Sequence, residues 1–98
     1  MERSEYKIVR TQSAGVFFGK VKELDLHNKS ALIENARRIW FWKGAASLSE
    51  LAVRGVKYPE ACKFPTPVPY ILVMDVVEIL DVTPQAKESI DGVPEWKA

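Results

Sequence analysis

The sequence predicts an α+β domain in which a small antiparallel sheet of four or five strands carries two short helices. Several segments are rich in β-branched and aromatic residues, the first three of these are separated by short loops, and two further segments begin with helix-capping residues. Short connections favour antiparallel neighbours, because a parallel pair needs a long crossover. Closure of the sheet into a small barrel is an alternative that this pattern leaves open.

Length and composition indicate a single domain, residues 1–98, of ordinary globular character. A core of this size is modest, and small domains often gain stability by association, so we expect a homo-oligomer. The formal net charge is +1, which provides no general basic field for nucleic acid. The overall charge therefore counts against a nucleic-acid partner.

The sequence also bears on location and on metal chemistry. No apolar run approaches the roughly 18 residues that a membrane span needs, and the charged amino terminus lacks the apolar core of a signal peptide. The single cysteine, Cys62, and the single histidine, His27, cannot build a disulfide framework or a zinc site within one chain. We expect a cytoplasmic protein with no membrane partner, no metal and no cofactor.

The first part of the chain is typical of a meander. Residues 6–11 and 16–26 form the first two strands, joined by a turn in which Gly15 can take a positive φ. Gly19 in the middle of the second strand indicates a simple bend, a bulge or a close approach by another group. A polar turn that contains His27 follows, and this histidine is expected to be a solvated loop side chain.

The third strand is predicted at residues 33–42, because aromatic and β-branched residues dominate its second half. Side chains alternate between the two faces of a strand. The face with more aliphatic bulk is the expected core side and contains Ile33, Asn35, Arg37, Ile39 and Phe41. The partly open face contains Glu34, Ala36, Arg38, Trp40 and Trp42. This arrangement places Arg38 beside two tryptophans on the open face. If the opposite face were the buried one, Arg37 would be the exposed arginine instead of Arg38.

A helix is predicted at residues 48–54, because Ser47 and Glu50 form an S-x-x-E capping box. The first N–H groups of a helix have no partner within the helix and attract anions. Lys43 lies just before this helix start, and Ser49 lies in its first turn. These residues could therefore complete an anion site near the third strand.

The second half of the chain contains one connector and one strand. Prolines make residues 56–69 an extended, irregular connector. Cys62 in this connector is predicted to be a packing residue, and a reactive thiol activated by Lys63 is the alternative. Residues 70–80 are predicted to form one central strand, because they are apolar on both faces.

The chain ends with a second helix and a short tail. Thr83 is the expected cap and Pro84 the first residue of this helix, which runs to about Ile90. Trp96 lies close to the carboxyl end, where a flexible tail would gain little from a tryptophan. We therefore expect Trp96 to dock on the sheet or on a second subunit.

The motifs favour a binding protein over an enzyme. The sequence has no phosphate-binding glycine loop, no Ser-His-Asp pattern and no nucleophile with an adjacent base. The segment at residues 35–50 instead concentrates groups that recognise ligands. Aromatic rings stack nucleobases, guanidinium groups pair with phosphates, and an amide can bind a base edge. The expected ligand-binding residues are Asn35, Arg37, Arg38, Trp40, Trp42, Lys43, Ser47 and Ser49.

Two stretches carry a resemblance to a known group of proteins. NARRIWFWKGAASLS at residues 35–49 and EILDVT at residues 78–83, with Ala86, Ser89, Ile90 and the VPEW ending, resemble small uncharacterised proteins of bacteriophages and prophages. The resemblance covers residues 6–96 and brings no catalytic residues with it. It implies a non-enzymatic binder of host factors or small molecules, similar in kind to viral sponges that sequester immune signals.

The resulting hypothesis is a phage protein that sequesters a nucleotide-derived signal, of the cyclic nucleotide or ADP-ribose type, and so counters host defence. In this hypothesis Arg37 and Arg38 hold phosphate, Trp40 and Trp42 stack the base, and Asn35 binds its edge. A protein-interaction or structural module is one alternative, because tryptophan and arginine are enriched among interface anchors. A binder of single-stranded nucleic acid is another.

Overall fold

The computed structural model describes residues 5–97. Its elements, in chain order, are strands β1 (Tyr6–Thr11), β2 (Val16–Asp25) and β3 (Ser30–Arg38), helix α1 (Leu48–Arg54), a 3₁₀ turn (Pro59–Ala61), strands β4 (Val68–Val73) and β5 (Val76–Asp81), and helix α2 (Pro84–Asp91). The five strands form one sheet, and each neighbouring pair is antiparallel. This architecture confirms the predicted α+β class with two short helices.

The sheet is strongly curled but is not a closed barrel. Its strand order is β4-β3-β2-β1-β5, so the two edge strands are consecutive in the chain. In a flat sheet these edges would lie about 19 Å apart, at about 4.8 Å per strand. The three steps from Val73 to Val76 span at most about 11 Å. The edges are therefore brought near each other at this connection, although β4 and β5 do not pair within the described part of the chain.

The prediction of one strand at residues 70–80 is wrong, because the chain leaves one edge of the sheet after Val73 and joins the other edge at Val76. Asp75 adopts a φ of 55°, a left-handed conformation that aspartate tolerates better than most residues. Its carbonyl accepts a hydrogen bond of 3.0 Å from the Gln12 N–H, which ties the connection to the β1–β2 turn.

The third strand begins earlier and ends earlier than predicted. Its last residue is Arg38, so Trp40 and Trp42 lie outside it, and Phe41 forms only an isolated bridge with Lys63. Strict alternation therefore does not apply to the tryptophans. Ile33 and Ile39 are buried as expected, whereas Ala36 is buried and Phe41 is exposed, contrary to the predicted faces.

A bulge in β3 explains part of this difference. Asn35 has a φ of 53°, and the β2–β3 register shifts here, opposite Gly19. A Cβ atom on Gly19 would lie 2.4 Å from Cγ2 of Ile33 and 2.9 Å from the carbonyl oxygen of Glu34. Of the alternatives left open for Gly19, the structure therefore shows the close approach, which the backbone and side chains of β3 make.

The core has two parts, one on each face of the sheet. Ile8 and Phe18 are paired across β1 and β2 and belong to the part that both helices cover. Val9 and Phe17 are also paired and belong to the part on the other face, with Ile33. Neighbouring residues of the same strand thus fill opposite sides of the sheet. A side chain at the end of β3 can therefore contact one part of the core or the other, depending on the face on which it lies.

Both helices begin as the sequence predicts. The Ser47 hydroxyl accepts a hydrogen bond of 3.1 Å from the Glu50 N–H, and the Glu50 carboxylate accepts one of 2.6 Å from the Ala46 N–H. The Thr83 hydroxyl caps α2 in the same manner, with Pro84 in the first turn. These capping bonds, which are reciprocal at α1, satisfy N–H groups that a helix start leaves without partners.

Candidate functional site

Arg37 holds the end of α2 against the sheet. Its guanidinium group donates hydrogen bonds of 2.9 Å to the Ile90 carbonyl and 2.8 Å to the Val93 carbonyl. The same group lies 5.1 Å from the centre of the Phe64 ring. Burial lowers the pKa of Arg37 from its usual value, and the carboxylates of Asp91 and Glu95 act in the opposite direction. Arg37 therefore makes a clamp between β3 and the carboxyl end of α2.

Arg38 points to the opposite face of the sheet. Its guanidinium group lies 4.5 Å from the centre of the Phe17 ring and donates a hydrogen bond to the Ala14 carbonyl in the β1–β2 turn. The side chain is exposed. The structure thus separates the two arginines, as strand alternation predicts, and each is already bonded to main-chain carbonyl groups.

Trp40 and Trp96 form an exposed aromatic stack. Their ring centres are 5.0 Å apart with an angle of 22° between the planes. Trp40 is 57% exposed and Trp96 is 38% exposed. The tail is held by a hydrogen bond of 2.9 Å from the Trp96 N–H to the Phe64 carbonyl, and by one of 3.1 Å from the Thr66 hydroxyl to the Glu95 carboxylate. Trp96 therefore docks on its own chain, against Trp40 and Phe64, which lie outside the strands of the sheet on which docking was expected.

Lys63 lies at the centre of this surface. Its ammonium nitrogen is 5.4 Å from the ring centres of both Trp40 and Trp96, and 6.0 Å from that of Phe41. Two main-chain hydrogen bonds join Phe41 and Lys63, one in each direction, at 3.2 and 2.7 Å. We refer to Trp40, Phe41, Lys63 and Trp96 as the aromatic platform. It presents three exposed rings and one cation on a single surface.

Trp42 does not belong to the platform. It is partly buried, packs against the helix-covered core and donates a hydrogen bond of 3.2 Å from Nε1 to the Ala45 carbonyl. Its indole ring thus serves packing. Asn35, the other residue expected to bind a base, is exposed in the bulge of β3.

The remaining predicted residues lie around the start of α1. The Ser47 hydroxyl is used as the helix cap, while the side chains of Ser49 and Lys43 are exposed. The Lys43 N–H lies 3.4 Å from the Cys62 sulfur. No interaction among the described residues connects these side chains with the platform or with either arginine. The eight predicted residues therefore do not form one constellation.

Three of the four platform residues, Phe41, Lys63 and Trp96, are absent from the predicted ligand-binding residues. Phe41 was assigned to the core, and Lys63 was noticed only as a neighbour of Cys62. Lys63 reaches the tryptophans through its bridge with Phe41, which lies 22 residues earlier in the chain. No local pattern indicates such a pairing. The tryptophan near the end of the chain was the one available signal that a further ring would join this surface.

The side chains with other reactive or metal-binding chemistry do not join the aromatic platform. The Cys62 thiol is buried, with the Tyr58 carbonyl oxygen 3.5 Å from its sulfur, as expected of a packing residue. His27 is exposed in the β2–β3 turn. The described residues contain no group of three metal-ligating side chains. Within the same residues, no helix has the length and apolar character that a membrane span requires.

The structure also has an apolar groove away from the platform. It has a volume of about 320 Å³ and lies between the end of β2 and strand β5. Its lining includes Leu24, Leu26, Lys29, Val77 and Ile79. None of the predicted ligand-binding residues lines it, so the groove and the platform are separate surfaces.

Comparison with known proteins places the chain in a family. A family model described as a domain of unknown function (DUF6948) matches residues 4–90, a range that contains all of the platform except Trp96. No curated protein matches the chain. No solved structure matches it. Because the family match covers most of the 98 residues, the chain belongs to the DUF6948 family.

Proposed function

We propose that this protein is a non-enzymatic binding module that recognises a segment of another protein through its aromatic platform. The observation that carries the proposal is the exposed stack of Trp40 on Trp96 with the Lys63 ammonium group beside both rings. Aromatic residues dominate the energetics of protein interfaces, where a few large side chains supply most of the binding free energy.

The platform is held in place before any ligand arrives. The paired main chains of Phe41 and Lys63 fix one side, and the hydrogen bond of Trp96 to Phe64 fixes the other. Contact between the two indole rings further restricts their rotation. A surface with ordered side chains loses less conformational entropy on binding, which favours affinity.

The charge of the platform suggests which segment it would accept. Lys63 takes part in none of the ion pairs between described residues, so its ammonium group is available to a partner. The rings provide apolar contact area. A partner segment with an apolar or aromatic side chain next to a carboxylate would satisfy both features.

The test compares Trp40→Ala with Leu26→Ala, which removes another exposed apolar side chain outside the platform. Proteins retained from host lysate by the wild type would be identified, and the affinity of each purified candidate would be measured by calorimetry. A hot-spot role predicts a loss of at least about 2 kcal/mol, or about 30-fold, for Trp40→Ala only. Equal affinities of the two variants for every candidate would contradict the proposal.

Sequestration of a nucleotide-derived signal is the second candidate function. It is supported by the exposed face of Trp40, on which a base could stack, and by the Lys63 ammonium group, which could pair with a phosphate. The guanidinium groups of Arg37 and Arg38 are engaged within the chain, so Lys63 takes the phosphate role in this version. A phage protein acting in the cytoplasm of an infected cell would fit this function.

A thermal-shift screen with cyclic nucleotides and ADP-ribose derivatives tests the second candidate. A ligand present at 100 times its dissociation constant adds about 2.7 kcal/mol to the free energy of unfolding, which should raise Tm by roughly 10 °C or more. Trp40→Ala should abolish this shift, and Leu26→Ala should retain it. If no compound in the panel changes the Tm of the wild type, the nucleotide hypothesis fails and the protein-binding proposal is unaffected.

A further inference from the structure

Strand β4 presents an apolar stripe at an edge of the sheet. β4 pairs with β3 on one side and has no strand on its other side in the described part of the chain. Alternate residues of β4 lie on its solvent-exposed face, namely Val68, Tyr70 and Leu72, which are 41%, 56% and 61% exposed; Met74, directly after the strand, is 55% exposed. Such a continuous row on a free edge is uncommon, because it can pair with other chains.

The two edges of this sheet differ in charge. Residues 65–74, which include all of β4, contain no charged side chain, although 28% of the whole chain is charged. The other edge strand, β5, carries Glu78 and Asp81 and follows directly on Asp75. Charged side chains on an edge strand prevent pairing with other strands. The β5 edge therefore has this protection and the β4 edge does not.

We propose that β4 pairs antiparallel with β4 of a second copy of this chain, about a two-fold axis at Ile71. The two five-stranded sheets would then join into one continuous sheet of ten strands. In this register Tyr70 lies opposite Leu72 of the second copy, and Val68 lies opposite Met74, the residue that follows β4 of the second copy. Residues that oppose each other in an antiparallel pair share one face, so both stripes merge into a single apolar surface.

A second copy fits this edge because the strand is self-complementary. A two-fold axis brings each residue of β4 against a residue of the same strand, and no position between 68 and 74 would oppose like charges. Tyr70 and Leu72 would meet the same two residues of the second copy in a four-residue cluster around the axis. Glu34 lies opposite Tyr70 on strand β3, and its carboxylate already accepts a hydrogen bond of 2.9 Å from the Tyr70 hydroxyl.

Pro69 limits the extent of the pairing. Proline has no N–H group and occurs in sheets mainly on edge strands. In the proposed register it would lie opposite Val73 of the second copy, near the end of the paired segment. The central residues 70–72 would therefore provide the main-chain pairing, and the apolar stripe would provide most of the buried area.

The first experiment measures the mass of the full-length protein in solution by sedimentation equilibrium. The wild type should have twice the monomer mass. Leu72→Glu should halve that mass, because it places two carboxylates beside the axis, and circular dichroism should show that the fold is retained. Val77→Glu is the matched control, since Val77 is 48% exposed on the β5 edge; this variant should remain a dimer. A monomeric wild type, or a Leu72→Glu variant that remains dimeric, would overturn the proposal.

The register has its own test. Opposed residues of antiparallel strands have Cα atoms about 4.5–5.5 Å apart, which lies within the range for a disulfide. Ile71→Cys should therefore form a cross-linked dimer on mild oxidation, and Val77→Cys should not. A dimeric wild type whose Ile71→Cys variant fails to cross-link would refute the two-fold axis at Ile71. Neither measurement depends on the aromatic platform, so the two proposals can fail separately.

Discussion

Arg37→Met should destabilise the fold severely. Methionine keeps much of the aliphatic length beside Phe64 but removes both hydrogen bonds to the end of α2. A hydrogen bond that involves a charged group contributes about 1.5–3 kcal/mol, and a buried carbonyl left without a donor adds a penalty. The Ile90 carbonyl retains the Val93 N–H as a donor, which limits the loss. We expect a decrease of about 3 kcal/mol in the free energy of unfolding.

The measurement is urea unfolding followed by circular dichroism, with Arg38→Met as the matched control. Arg38 makes one hydrogen bond to the Ala14 carbonyl and one contact with the Phe17 ring, and its side chain is exposed. Loss of these surface interactions should cost about 1 kcal/mol or less. In thermal unfolding, the expected loss for Arg37→Met corresponds to a decrease in Tm of roughly 12–24 °C, at 4–8 °C per kcal/mol.

The result also decides how Arg37 bears on function. A clamp predicts that Arg37→Met changes stability far more than Arg38→Met, and that Arg37→Lys recovers only part of the loss, because an ammonium group lacks the planar fork of a guanidinium. If both methionine variants unfold within about 0.5 kcal/mol of each other, a margin typical of surface substitutions, the clamp reasoning is wrong. Arg37 would then again be a candidate for phosphate binding.

Three further predictions concern other parts of the fold. Gly19→Ala should lose about 1–3 kcal/mol in urea unfolding, because its methyl group would overlap the side chain of Ile33; an unchanged midpoint would contradict the close approach. Hydrogen bonding by the Ala46 N–H lowers the pKa of Glu50, so this carboxylate stabilises the fold above its unfolded pKa, and the contribution is lost as the pH falls through its lower folded pKa. Glu50→Gln should therefore flatten the acid side of the stability–pH curve, and an unaltered curve would count against the capping role. Cys62 should react with a thiol reagent at the rate of unfolding, because its sulfur is buried; rapid labelling of the native protein would contradict that placement.

Local signals in the sequence predict the parts of the fold that local chemistry determines. The bounds of β1 and α1 and the two helix caps depend on residues within one turn or one strand. Ser47 and Glu50 illustrate this, since hydrogen bonds over three or four residues create the start of α1. The docking of Trp96 was predicted only in part, because the ring does pack on the protein but on Trp40, which lies outside the sheet.

Features that depend on distant residues could not be predicted in the same way. Strands β4 and β5 form an almost unbroken apolar run in the sequence, and its division between two edges of the sheet depends on their pairing with the distant strands β3 and β1. The carbonyl partners of Arg37 lie 53 and 56 residues away along the chain. Lys63 likewise joins the platform through a long-range bridge. Side-chain type indicated the chemistry of these groups but not their partners.

The bulge at Asn35 determines which arginine supports the fold. Ile33 lies in the core part on one face, whereas the Arg37 guanidinium group lies over Phe64 on the other face, although uninterrupted alternation would place both residues on the same face. The inserted residue of the bulge exchanges the faces after Asn35, and the bulge lies against Gly19.

Gly19→Ala should therefore disturb the Arg37 clamp as well as local packing. The losses of Gly19→Ala and Arg37→Met should sum to more than the loss of the double variant, whereas independent sites would give additive losses within about 0.5 kcal/mol. Additivity would show that the position of Arg37 does not depend on the bulge.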